Sequence, residues 1–185
     1  MAIAGGKLTT YRRMAEKVAT ALGHDTASPR GRPTESIPIA PIFDDGSLRD
    51  RLRAGDLAGR PAALDRLLRV YGAEAAELAA LVADDQRLAA PIVPGQPPIL
   101  AEVVFAARRE QARGIADVLA RRTRLLLLDG RGARAAAAAV AELMAAELGW
   151  SAAERERALR DFADESAQYA LPGQGLAEPA APAAR

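Results

Sequence analysis

Several residue types that carry chemistry in other proteins are absent or scarce in this chain of 185 residues. It has no cysteine, which excludes disulfides, thiolate metal sites and cysteine nucleophiles. The single histidine, His24, has no carboxylate or cysteine companions at ligand spacing, so we predict no metal site. No apolar stretch approaches the roughly 18 residues of a membrane span, and nothing at the start resembles a signal peptide. We therefore expect a cytoplasmic protein.

The chain also lacks a large excess of either positive or negative charge. The chain has 25 basic and 24 acidic residues, a net charge of +1, which argues against a nucleic-acid partner. Half of the residues are hydrophobic, but many of these are alanine, which favours helix and adds little burial per residue. The few aromatic residues are therefore the expected packing anchors, and Trp150, beside Gly149, is predicted to pack at a corner between two helices.

The apolar residues recur at helical spacing along most of the chain. Residues 9–22 are predicted to form a first helix that ends at Gly23, and residues 24–60, rich in proline and glycine, are predicted to be a linker. Residues 61–170 form a predicted helical domain, and 171–185 a disordered tail. The fold class that follows is mainly α, a bundle of about five or six helices, of which the last begins with a capping box at Ser151 and Glu154.

The most informative motif lies near the start and has the sequence GGKLTTYRRMAE, residues 5–16. It places glycines, a lysine and hydroxyls just before an amphipathic helix. Glycine lets a ligand approach the backbone closely, and the first N–H groups of a helix have no partner within it, so they can donate to an anionic or oxygen-rich group. The pattern is consistent with a cofactor contact and also with an ordinary strand-turn-helix start.

This motif resembles the segment that ends the FAD-binding domain of FAD-dependent glycerol-3-phosphate dehydrogenases of the aerobic, quinone-linked type, the family that includes alpha-glycerophosphate oxidase. The order of three further blocks agrees: RVYG at 69–72, AEVVFAARRE at 101–110 and DVLARRTRL at 117–125 resemble the carboxy-terminal helical domain of that family. The chain departs from the family pattern at Arg109, where a histidine is expected.

The resemblance implies that residues 1–23 are a remnant strand-turn-helix of the FAD-binding domain. It also implies that the backbone of Gly5, Gly6, Lys7, Leu8 and Thr9 contacts FAD, with the Lys7 ammonium near the substrate or the flavin. The family oxidises sn-glycerol 3-phosphate to dihydroxyacetone phosphate and passes electrons to a quinone.

The G-x-G-x-x-G turn that holds the FAD pyrophosphate in the family does not occur in this sequence. We therefore expect this chain to correspond to the last third of such an enzyme, with no catalytic residue of its own and no tight hold on FAD. For the full-length parent, the resemblance leaves open a peripheral membrane association and a homodimer.

Three less specific interpretations stand beside these. The arginine-rich stretch 108–124 could bind phosphate or nucleic acid, but Glu102, Glu110 and Asp117 are near enough in sequence to pair with several of its arginines, and we favour a solvated or internally paired face. Asp84 and Asp85 are interpreted as a helix end. The chain as a whole could also be a free-standing helical module that binds a partner or has a regulatory role.

Overall fold

The computed structural model describes residues 4–5, 7–24, 37, 45–54, 57 and 59–169. It divides the chain into two compact units, residues 1–42 and 43–185. The described residues contain eight α-helices and no strand, so the predicted mainly α fold is confirmed. None of these helices is long and apolar enough to cross a lipid bilayer. The predicted tail, Gly6 and the residues before Ala4 lie outside the described part of the chain.

The first unit contains a single α-helix in its described part. Residues Leu8–Thr10 form one 3-10 turn that leads into α1, Tyr11–Ala21. The helix ends as predicted at Gly23, which has a φ of 84°, and the amide of His24 donates to the carbonyl of Ala19 at 2.9 Å. No residue of α1 is buried.

The second unit holds the remaining helices. They are α2 (Asp45–Ala54), α3 (Pro61–Tyr71), α4 (Ala75–Asp84), α5 (Leu100–Arg109), α6 (Leu125–Leu128), α7 (Gly130–Leu148) and α8 (Ala152–Ala167). Short 3-10 turns follow α3 (Gly72–Glu74) and α4 (Gln86–Ala89). As predicted, α8 begins with a capping box, in which the Ser151 amide donates to Glu154 at 2.8 Å and the Glu154 amide donates to the Ser151 hydroxyl at 3.3 Å.

Helix α5 is the centre of this unit, since every residue from Ala101 to Ala107 is buried. One side of α5 contributes Val103 and Ala106 to a core shared with residues 112–126, α7 and α8. The other side contributes Val104 and Phe105 to a core shared with α2, α3 and α4. Alternate faces of one helix therefore serve two hydrophobic clusters.

The predicted linker is wrong for residues 45–54, which form α2. Leu48 and Leu52, spaced four apart on one face, are buried together with Leu57 in the core of α3 and α4. The guanidinium of Arg49 pairs with Asp65 on α3. The glycines and prolines on both sides of this short helix obscured its spacing in the sequence, and the boundary of the second unit therefore lies near residue 43 rather than 61.

The predicted helical domain, residues 61–170, is not regular α-helix throughout. Residues Asp117–Arg122 form a π-helical turn, in which the amide and hydroxyl of Thr123 both donate to the carbonyl of Val118, at 2.9 and 2.8 Å. Arg124 follows with a φ of 58°, in the left-handed region, before α6 begins.

Candidate functional site

The predicted cofactor contact lies at the start of the first unit, and its described residues are exposed. Lys7 has an extended backbone, and Leu8 and Thr9 begin the 3-10 turn that leads into α1. The amide and the hydroxyl of Thr10 both donate to the carbonyl of Lys7, at 3.1 and 2.9 Å, which closes the turn. The Leu8 side chain is 83% exposed.

This turn leaves polar donors free. Within the described part of the chain, the amides of Leu8 and Thr9 donate to no acceptor, and the Lys7 ammonium makes no ion pair. Two backbone N–H groups and one mobile cation therefore lie within three consecutive residues and are open to a ligand. Such a set can donate to an anionic or oxygen-rich group.

Gly5 approaches α1 closely. A Cβ atom placed on Gly5 would lie 2.5 Å from the terminal methyl of Met14, so any larger residue requires that side chain to move. Gly5 therefore lies against the Met14 side chain, whereas the Leu8 side chain is exposed.

In the second unit the only buried carboxylate among the described residues is Glu102, in the first turn of α5. Its two oxygens accept from Nε of Arg66 at 3.1 and 3.0 Å, and Oε2 also accepts from Nη2 of Arg66 at 2.9 Å. The Tyr71 hydroxyl donates to Oε2 at 2.9 Å, and the Ile99 amide donates to Oε1 at 3.0 Å. We call Arg66, Tyr71 and Glu102 the Glu102 network.

The Glu102 network is closed to ligands. The Glu102 side chain has no exposed area and that of Arg66 is 14% exposed, so every oxygen lone pair is used inside the fold. Burial, reinforced by the negative charge of Glu102, raises the pKa of Tyr71 far above its ordinary value. The Tyr71 ring also packs edge-on against Phe105, with centroids 5.3 Å apart. The network fastens α3 to α5 and does not form a catalytic site.

The arginine-rich stretch is largely paired within the chain, as predicted, although not with the predicted partners throughout. Four of its six arginines contact a carboxylate: Arg108 with Glu147 at 2.8 Å, Arg109 with Glu77 at 3.3 Å, Arg121 with Glu165 at 2.9 Å and with Asp117 at 3.4 Å, and Arg122 with Glu110 at 3.0 Å. Glu102 is the exception, because it pairs with Arg66 and not with this stretch. Arg109, where the resemblance leads us to expect a histidine, thus makes an ordinary surface ion pair with Glu77.

A groove of about 280 Å³ is lined by residues 113–116, by Trp150 and by residues of α8. Trp150 is half-buried against the core of α7 and α8, as predicted for a corner anchor. The groove carries charges of both signs, and two of its acids are already engaged: Glu154 accepts from Ser151, and Glu165 pairs with Arg121. The lining of the groove therefore favours neither an anionic nor a cationic ligand.

Asp84 and Asp85 serve as helix ends, as interpreted from the sequence. Asp84 is the last residue of α4, and the Asp85 carboxylate accepts from the amide of Arg87 at 3.0 Å, capping the following 3-10 turn. The guanidinium of Arg87 donates to the same carboxylate and holds the pKa of Asp85 below its usual range. The described residues contain no cluster of three histidine, aspartate or glutamate side chains that could hold a metal ion.

The chain is similar to glycerol-3-phosphate dehydrogenases from several organisms. It is 26% identical over 175 residues to that of Synechocystis, covering 93% of this chain and 32% of the relative. It is 32% identical over 166 residues to glycerol-3-phosphate dehydrogenase 2 of Mycobacterium tuberculosis, covering 88% of this chain and 28% of the relative. It is 30% identical over 167 residues to the probable mitochondrial glycerol-3-phosphate dehydrogenase of Dictyostelium discoideum, covering 86% of this chain and 25% of the relative.

The chain thus spans about a third or less of the length of these curated relatives. No solved structure matches it. Residues 3–155 match the family model described as the C-terminal domain of alpha-glycerophosphate oxidase, a range that includes both the turn at residues 5–9 and the Glu102 network. The chain therefore belongs to the family of the C-terminal domain of glycerol-3-phosphate oxidases and dehydrogenases.

Proposed function

We propose that this chain acts as the carboxy-terminal part of an FAD-dependent glycerol-3-phosphate dehydrogenase. In this proposal the enzyme oxidises sn-glycerol 3-phosphate to dihydroxyacetone phosphate and delivers the electrons to a quinone. The observation that carries it is the family match over residues 3–155, which includes the exposed turn with its free donors. FAD, when bound, would accept the hydride from the substrate.

The residues at the turn fit a role beside a flavin or a phosphate. The free amides of Leu8 and Thr9 can donate to a carbonyl or an anionic oxygen, and the Lys7 ammonium can stabilise negative charge that develops next to it. Gly5 and Gly6 complete the proposed contact, and the lack of a side chain at Gly5 leaves room for Met14, whose terminal methyl would lie 2.5 Å from a Cβ there. In the second unit, the Glu102 network joins α3 to α5.

A chimera tests this function. The chain replaces the corresponding carboxy-terminal region of the M. tuberculosis relative, and glycerol-3-phosphate-dependent reduction of a dye and of a quinone analogue is measured. We expect the chimera to bind FAD and to reduce both acceptors, whereas the isolated chain purifies without flavin absorbance and without activity. A chimera that folds and binds FAD but does not oxidise glycerol 3-phosphate would contradict the proposal.

The isolated chain also distinguishes the alternative of a free-standing helical module. Stoichiometric flavin on the isolated chain would show that residues 5–9 need no further domain to hold FAD, against our expectation. The acceptor is tested in the same chimera, because oxygen consumption in place of quinone reduction would assign it to the oxidase branch of the family.

A further inference from the structure

The groove beside Trp150 follows one face of α8 for most of the length of that helix. The α8 residues that line it recur every three or four positions: Glu154, Arg157, Ala158, Asp161, Phe162 and Glu165. This face runs from the first turn of α8 to two residues before the helix ends at Ala167. One end of the groove therefore lies within a helical turn of the point where the chain leaves α8.

Much of the groove lining is apolar. Ile115, Ala116 and Phe162 are buried in the core of α7 and α8, while Trp150 and Ala158 pack against that core and are half-buried. Burial of an apolar side chain against such a surface is favourable.

The segment 113–116, which also lines the groove, is held by hydrogen bonds. The amides of Arg113 and Gly114 both donate to Oδ2 of Asp117, each at 2.9 Å, and the Asp117 amide donates back to the carbonyl of Gly114 at 3.0 Å. A helix and a hydrogen-bonded turn thus form the lining, so the groove is present before anything binds in it.

Two cations of the lining, Arg113 and Arg157, form no ion pair among the described residues. Arg157 acts electrostatically on Glu154, but the Glu154 carboxylate already accepts from the amide and the hydroxyl of Ser151. Asp161, one turn further along α8, is the acid of the lining that has no partner within the described part of the chain. The groove therefore suits a neutral segment that presents one carboxylate next to an apolar side chain.

The residues that follow α8 have such a sequence. Residues 170–185 lie outside the described part of the chain and read ALPGQGLAEPAAPAAR, with one acid and one base. Pro172-Gly173 is a dipeptide typical of a turn. Leu176 and Glu178 come after it, and Glu178 is the acid. Because they are two residues apart, their side chains share one side of an extended chain.

The spacing of this pair matches the spacing along the groove. Phe162 and Arg157 are five residues apart on α8, which corresponds to a rise of about 7.5 Å. Two residues of extended chain cover about 6.6 Å. A chain that turns back after α8 and runs antiparallel to it therefore brings Glu178 to the level of Arg157 when Leu176 lies at Phe162.

We propose that residues 176–178 of this chain dock in the groove. Leu176 would pack on Phe162, and the Glu178 carboxylate would pair with Arg157. The disorder predicted for this segment applies to it in the unbound state, since segments of such composition order on binding. The inference is independent of the proposed function, because the groove and the segment both belong to this chain.

Trp150 reports on the groove, because it is the only tryptophan of the chain and is part of the lining. Acrylamide quenching of its fluorescence is compared in full-length variants. Leu176→Asp should raise the quenching constant, since it removes the apolar contact and uncovers the groove. Leu171→Asp is the matched control, because it adds the same charge in the same segment before the turn, and its quenching should equal that of the unsubstituted chain. Circular dichroism should give the same helix content for every variant.

A peptide of residues 170–185 measures the contact directly. Added to the full-length Leu176→Asp variant, it should protect Trp150 from quenching. The same peptide with Leu176→Asp should bind about tenfold more weakly or worse, which corresponds to the loss of one buried leucine side chain. Arg157→Glu in the protein should weaken binding of the unsubstituted peptide up to about fivefold, the range of an exposed ion pair, and a peptide with Glu178→Arg should recover it.

Three results would overturn the proposal: equal quenching in the unsubstituted chain and in Leu176→Asp, an equal rise in Leu171→Asp, or a Glu178→Arg peptide that does not recover binding to Arg157→Glu. The first would leave the groove to a different partner. Dilution and analytical ultracentrifugation test a second copy as the source of the segment. Protection of Trp150 that is lost on dilution of a sedimenting dimer would assign the contact to the neighbouring copy and contradict docking within one chain.

Discussion

Replacing Glu102 with glutamine removes the one charge that balances Arg66 inside the fold. The Arg66 side chain is 14% exposed, so its guanidinium would remain largely desolvated without a counter-charge. The glutamine amide would also direct N–H donors at Arg66 and Tyr71, which are themselves donors. Removing one partner of a buried ion pair costs about 3–5 kcal/mol, and the partial exposure of Arg66 places Glu102→Gln near 3 kcal/mol.

Urea unfolding followed by circular dichroism measures this loss. A cost of about 3 kcal/mol, with a slope of about 1–3 kcal/mol per molar urea, lowers the unfolding midpoint by roughly 1–3 M. Glu77→Gln is the matched control, because it breaks an Arg109 pair whose side chains are 50% and 57% exposed, and such a surface pair contributes less than about 1 kcal/mol. If Glu102→Gln is no more destabilising than Glu77→Gln, the network does not hold α3 to α5.

Three further predictions concern packing, pH and capping. Gly132→Ala should cost about 1–3 kcal/mol of unfolding free energy, since the new Cβ would lie 2.4 Å from Cγ1 of Val93, and a double-mutant cycle with Val93→Ala should recover part of that loss. Because the pKa of Tyr71 is raised in the folded state, the unfolding free energy should fall as pH rises above about 10. This fall should be smaller in Tyr71→Phe. If urea titrations across that range give the same pH dependence of the unfolding free energy for both proteins, the prediction is contradicted. Ser151→Ala should lower the melting temperature, because it removes the hydroxyl that caps α8. It should also move the pKa of Glu154 partway up toward its ordinary value, because the Ser151 amide and hydroxyl hold that pKa low. An unchanged Glu154 pKa in an NMR titration would refute the cap.

Much of the fold could be predicted because its signals are local. The spacing of the apolar residues in α3 predicts that one face of this helix is buried. The structure buries all four of them: Leu64, Leu67, Leu68 and Tyr71. The Ser151 capping box likewise depends on residues three apart. Both patterns are visible within one or two helical turns of sequence.

The remaining features depend on contacts between distant residues. Glu102 finds Arg66 and Tyr71 across 36 and 31 positions, and spacing along the sequence does not reveal such partners. The only local signal was a glutamate at the third position of an apolar helix. Helix α2 was missed because two leucines among glycines and prolines form too short a pattern. The π turn at 117–122 was missed because its hydrogen bonds involve the side chains of Arg122 and Thr123.

The proposed cofactor contact came from a resemblance supported by a chemically sensible motif. The turn has exposed amides and an unpaired ammonium, which is compatible with a ligand contact and is also found at many helix starts. Its assignment to FAD and to glycerol 3-phosphate remains a prediction, for Gly6 as well as for the described residues.

The most direct test of that central claim is the kinetic effect of Lys7→Met in the chimera with the M. tuberculosis relative. Lys17→Met is the matched control, since Lys17 is the only other lysine of the chain and lies on α1 beyond the turn. We expect kcat/KM for glycerol 3-phosphate to fall about tenfold or more in Lys7→Met, the size of a lost hydrogen bond to a charged group, and to stay near the unsubstituted value in Lys17→Met. Equal kcat/KM values for the two variants, with equal FAD content, would contradict the account.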